Sequence, residues 1–215
     1  MGFFSAIGGF IGGALGAVGS FLGGAIGIAA TAIAGLVGSP IFGAVVGIIS
    51  LVSTFIGLTK KEEKPEELGA KAMLSDKKPE DFDSYQAYID HLSNDIKLSP
   101  EIKNKLENDE KFRTERTVIG SSLQWYGLNE KMGINMDIPS LVKLVKAGVE
   151  TPEQFQTIAN TFKSKEVEPK ISDAIERNLP MKEGAKIVDT LKEGVDKIEG
   201  SKEIWEKLDK MLDEM

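Results

Sequence analysis

His91 is the only histidine among the 215 residues, and the chain has no cysteine. A zinc site built on a histidine pair, a thiolate nucleophile, a Cys–His dyad and a disulfide framework are therefore excluded. His91 falls in an amphipathic stretch and is read as structural or exposed. The glycine-rich first part of the chain holds no GxxxxGK[ST] loop and no lysine, so it forms no phosphate cradle of that kind. Acidic residues alternate with lysines as on a solvated helix surface, and nothing singles out a carboxylate pair for acid–base work. Trp125 and Tyr126, adjacent in Leu123-Gln124-Trp125-Tyr126, remain as candidates. A core anchor is their first reading and a partner-binding face their second. The residues imply no enzyme, cofactor or metal.

Small residues at fixed spacing carry a different chemistry. Gly8, Gly12, Gly16, Ser20 and Gly24 fall four residues apart. Gly9 and Gly13, continued by Ala17, form an adjacent row, and Gly19, Gly23 and Gly27 form a third. Gly43 and Gly47 repeat the step further along. On a helix each row is a flat strip without side chains, bordered by Phe10, Leu15, Phe21, Leu22 and Ile26. Such strips let helix backbones approach closely, which is how GxxxG helices associate in membranes. In water each glycine costs about 1 kcal/mol of helix propensity relative to alanine. In lipid the backbone can bond only to itself, so the helix is enforced.

The segment that must position these rows is chemically distinct. No side chain in residues 1–59 is charged, and all 59 Asp, Glu, Lys and Arg residues follow it. Fifteen of the 23 glycines precede Lys60. Ser39-Pro40 is its strongest breaker, since proline lacks a donor and restricts its predecessor. Residues 41–58 include eleven Ile, Val, Leu or Phe. As one helix they would measure about 27 Å, near the lower limit for a hydrocarbon core of about 30 Å. That makes them a transmembrane candidate, closed by Lys60 and Lys61. Residues 3–38 have only 14 such side chains in 36 positions and need packed partners. A cleavable secretory signal is not expected, because no Lys or Arg precedes the apolar run and the run exceeds about 15 residues. Met1-Gly2 lacks the hydroxyl residue that a myristoylation motif places sixth, where Ala6 stands.

The remainder reads as acidic and helical. Its net charge of -7 and lack of a basic patch disfavour direct nucleic-acid binding. Residues 60–66 read as a charged hinge. Ser99-Pro100-Glu101 and Thr151-Pro152-Glu153 each place a capping hydroxyl before a proline at the first helical position. Asp83-Ser84 opens a further helix with Tyr85, Tyr88, Ile89 and Leu92 on one face. Gly133 and Gly148 suit helix ends. Ile138, Leu141, Val142, Leu144 and Val145 predict a short apolar helix, and Phe155, Ile158, Ala159 and Phe162 another. From about residue 180, Val188, Leu191, Val195 and Ile198 step as in a coiled-coil seam, and Ile204, Trp205, Leu208, Met211 and Leu212 resume the face after Gly200. Packing of this tail on its own domain is preferred over self-association. No segment shows sustained strand-type alternation. The expected fold is all-α: a glycine-zipper apolar helical hairpin over 1–59, the hinge 60–66, and a domain of short helices over 67–215.

The opening MGFFSAIGGFIGGALGAVGSFLGG resembles the N-termini of phage pilot and DNA-ejection proteins and of some viral membrane-penetration proteins. The resemblance covers roughly residues 1–58. It implies a protein stored in a particle, released, and inserted to open a path across a host envelope. The helical remainder departs from longer pilot proteins in lacking an extended coiled coil. The expected function is a non-enzymatic membrane-inserting protein that oligomerises through its glycine rows to perforate or traverse a membrane. Its partners would be a lipid bilayer and copies of itself or a larger assembly, and its location a membrane on action, after storage in a virion or secretion particle. The alternative is an anchoring protein whose apolar hairpin tethers a partner-binding helical domain. A third reading is an immunity or chaperone-like adaptor with Trp125 at its binding face.

Overall fold

The computed structural model describes residues 24–213. These form eleven α-helices and one 3-10 turn, with no strand among the described residues. The all-α expectation therefore holds. The described residues cluster into two compact units, one comprising residues 24–42 and Ser53–Leu128, the other Gly43–Val52 and residues 129–213.

Helix α1 spans Gly24–Ala34 and α2 spans Phe42–Phe55. The expected break at Ser39-Pro40 lies in the turns between them, where Gly38 takes a φ of +84° and the Ser39 hydroxyl donates to the Leu36 carbonyl at 2.6 Å. The expectation of one helix over 41–58 is corrected. Helix α2 has 14 residues, a length of about 21 Å at 1.5 Å per residue. It stops because Gly57 adopts a φ of +67°, a conformation that costs glycine nothing sterically. The amides of Leu58 and Thr59 then both turn back to the Ser53 carbonyl, at 2.8 and 3.3 Å. Among the described residues no helix is long and apolar enough to cross a membrane.

In the first unit, α3 (Pro65–Leu74) packs against α4 (Tyr85–Asn94) and α5 (Pro100–Asn108). The cap signals act as expected. The Ser84 side chain accepts from the Ala87 amide and that of Ser99 from the Ile102 amide, with Pro100 in the first turn. Tyr85, Tyr88, Ile89 and Leu92 are all buried. A smaller cluster joins Ala70 to Leu98 and Leu106, with Ile102 and Phe112 against it. Helix α6 (Glu110–Met132) meets α3 with no side chain between the backbones. A Cβ on Gly69 would collide with the Arg116 carbonyl, and one on Gly120 with the Pro65 carbonyl. Among the described residues, the tightest glycine-mediated helix crossing thus lies in the charged part of the chain.

In the second unit, α10 (Met181–Val195) packs on α8 (Pro152–Ser164), α9 (Ile171–Ile175) and α11 (Ser201–Asp213). Helix α7 (Ile138–Ala147) packs on α9 and α11. Thr151 and Gln154 form a reciprocal capping box at the start of α8. Gly148 ends α7 at a φ of +105°, and the Val149 amide closes on the Leu144 carbonyl at 3.0 Å. Phe155, Ile158, Ala159 and Phe162 are fully buried, and Gly194 lets α10 approach Ile158 closely. The tail folds onto its own unit. One position of its seam is corrected: Ile187 enters the core and Val188 is only half-buried. The two neighbours differ by 100° around the helix, and the choice is set by the α8 surface opposite.

Gly184 lies inside α10 with no neighbour within 4 Å of the position a Cβ would take. Gly184→Ala should therefore stabilise the protein by about 0.5–1 kcal/mol through a less free unfolded chain. A higher urea midpoint, followed by Trp205 fluorescence, would register the gain.

Candidate functional site

The apolar stretch is the part of the chain whose composition asks for a function, and its described portion is only half-covered. In α1, Ile26, Ala29, Ala30 and Ile33 are buried, while Ile28 is 73% exposed. In α2, Val45, Ile48, Ile49 and Val52 are buried, while Leu51 and Phe55 are 54% and 48% exposed. A Cβ on Gly24, Gly43 or Gly47 would meet nothing within 4 Å. Among the described residues, no helix packs on these three glycines. Gly27 is half-buried, and its carbonyl accepts from the Thr31 hydroxyl at 2.9 Å. Gly8, Gly9, Gly12, Gly13, Gly16, Gly19, Ser20 and Gly23 lie outside the described residues.

The end of the stretch is tied to the first unit. The Leu58 side chain lies against Gly127 of α6, where the Tyr85 ring also sits; a Cβ there would approach that ring to 2.6 Å. The Leu58 carbonyl accepts from the Gln86 amide nitrogen at 3.0 Å. Lys60 and Lys61 are exposed, but Glu63 is buried and receives the Lys71 ammonium at 2.8 Å. Lys71 also donates to the Ser93 carbonyl at 3.4 Å, and Lys60 donates to the Asn94 side chain. By sequence, residues 60–66 read as one charged hinge. Only the burial of Glu63 separates it from its neighbours, and a KKEEK run has no signal for that.

Trp125 is 3% exposed, which fits a core anchor. Tyr126 is half-buried, and its ring meets that of Tyr85 edge-on at 4.8 Å. The Tyr85 hydroxyl donates to the Leu123 carbonyl at 2.9 Å, so these aromatics brace α4 against α6. Beside them sequence reasoning missed a buried polar strip. Ser121 and Gln124 are fully buried, and neither the Ser121 hydroxyl nor the Gln124 side-chain amide has a hydrogen-bond partner. The Tyr88 hydroxyl is likewise unpartnered, and burial pushes its phenol well above the ordinary range. Near the start of α6, burial pushes the Glu115 carboxyl up, against the pull of Arg116 and Lys111. Burial lowers Arg116, whose guanidinium lies 4.6 Å from the Phe112 ring centroid. His91 donates from Nδ1 to the Asp95 carboxylate at 2.8 Å, and its ring lies 5.2 Å from the Phe82 ring, centroid to centroid.

The second unit has an open cleft of about 430 Å³ lined by residues including Gly133, Phe162, Lys163, Glu166 and Pro169. Its charged groups are exposed and point to no single chemistry. Among the described residues no three His, Cys, Asp or Glu side chains converge as metal ligands. No family model matches the chain, and no curated protein or solved structure matches it either.

Proposed function

We propose that this is a non-enzymatic membrane-inserting protein and that the fold described above is its packed state before insertion. One observation carries the proposal: residues 1–59 have no charged side chain in a chain with 59 charged residues after them. A soluble domain has no need for such a segment, whereas hydrocarbon strongly selects against charge. The exposed Ile28, Leu51 and Phe55 support it, as do the faces of Gly24, Gly43 and Gly47, on which no helix packs among the described residues. Insertion requires residues 41–58 to leave the fold. Val45, Ile48, Ile49 and Val52 then exchange a protein core for lipid tails of equal apolarity, so their burial is retained. The glycine rows would join several copies into a pore or passage, in the manner of phage-type ejection proteins or a delivered pore-forming effector.

Dye release from liposomes by the full chain tests the proposal, and absence of leakage at any protein concentration would sink it. Gly12→Ile and Gly16→Ile should leave co-sedimentation with vesicles intact but remove crosslinked oligomers and leakage, because bulky side chains fill the flat strip. Loss of sedimentation and leakage together would deny the rows a role in assembly.

A further inference from the structure

The end of the apolar stretch and its extension into a longer helix are mutually exclusive. In a helix running through residue 58, the Thr59 amide would bond the Phe55 carbonyl and the Leu58 carbonyl would accept from residue 62. Instead the Thr59 amide bonds Ser53, and the Leu58 carbonyl is held by Gln86. Two further ties follow at once: Lys60 to Asn94, and Glu63 to Lys71, which also reaches Ser93. Gln86, Ser93 and Asn94 all belong to α4, and Lys71 to α3. The side chains of Lys71 and Glu63 are only 12% and 6% exposed. Breaking one partner of such a pair strands a buried charge, so this tie is the strongest of the three.

We infer that these contacts form a latch: they hold residues 56–63 in a turned-back form on α3 and α4, and their opening lets α2 lengthen through residue 58 to a membrane-spanning length. The latch regulates the site proposed above and rests on the insertion proposal. It explains why a segment apolar enough to insert stays folded, and it places the control point in the first charged residues after that segment. Gly57 is the pivot, since a return from positive φ to helical φ is the backbone change required.

The test uses the full chain with Glu63→Gln and, separately, Gln86→Ala. Glu63→Gln removes the ion pair but keeps an oxygen that can accept from Lys71. Gln86→Ala releases the Leu58 carbonyl without stranding a charge, so it remains informative if the first variant misfolds. Hydrogen exchange without lipid should accelerate at the Leu58 and Thr59 amides by about tenfold or more, with the Ile89 and Leu92 amides of α4 unchanged. Dye release from vesicles of equimolar phosphatidylcholine and phosphatidylglycerol should quicken several-fold over the unsubstituted chain. Unchanged exchange would overturn the latch. So would equal acceleration at all four amides, which would make the contacts ordinary supports of the first unit. Local acceleration with no dye release from any chain would instead overturn the insertion proposal, and the latch's purpose with it.

Discussion

Gly120→Ala is expected to destabilise the first unit by at least about 3 kcal/mol, the upper range for overpacking. The added Cβ would meet the Pro65 carbonyl, a backbone atom that no rotamer change can move aside. Relief requires α3 and α6 to separate, which would loosen the buried Leu68 and Ala70 on one side and Val118, Ile119 and Leu123 on the other. Gly69→Ala should act alike, since its Cβ would strike the Arg116 carbonyl from the opposite side of the same crossing. The two effects should be strongly non-additive, because the first substitution already parts the helices. Urea titrations in a Trp205→Phe background, where Trp125 alone reports, would measure both. A loss below about 1 kcal/mol for Gly120→Ala would mean that the crossing has slack, and the close approach would then contribute little.

That crossing shows where sequence reasoning stops. Gly69 and Gly120 each sit in a helical stretch without any local signal, and nothing in their own neighbourhoods pairs them across 51 positions. Of the glycines with the conspicuous spacing, Gly24, Gly43 and Gly47 would bring a Cβ against nothing within 4 Å among the described residues. Local chemistry was legible where it acts locally: Ser84, Ser99 and Thr151 cap their helices, and Gly133 and Gly148 end theirs. Amphipathic faces were legible wherever polar residues marked the far side, as with Tyr88, Ile89 and Leu92. In α2 that contrast is missing. Val45, Ile48 and Ile49 are buried while Leu51 and Phe55 are not, yet hydropathy does not distinguish them. The stop at Gly57 was hidden too, because a glycine fits an apolar run and a left-handed turn equally well. Ser121 and Gln124 are buried against their polarity, and their own types argue for a surface. The candidate site was therefore legible as a composition, while its exposed positions and its ties to α3 and α4 depend on distant residues.

Those exposed positions allow insertion to be separated from folding. Leu51→Lys should reduce membrane partitioning of the full chain roughly a hundredfold while changing its stability in water by no more than about 0.5 kcal/mol. Leu51 is 54% exposed in the packed state, so a lysine there can keep its ammonium in water. In an inserted helix over residues 41–58 the same position lies near the midpoint, where a lysine costs about 3 kcal/mol relative to leucine. Each 1.4 kcal/mol is a factor of ten, which sets the size of the effect. Ile49→Lys would not serve, because Ile49 is 1% exposed and the charge would disrupt the fold before any bilayer was met. Vesicle flotation gives the partitioning and a urea midpoint gives the stability. Partitioning unchanged by Leu51→Lys would show that residues 41–58 do not enter the hydrocarbon core. The apolar stretch would then serve as a surface tether or as an element buried in an assembly, and the anchoring alternative would take the place of the inserted one.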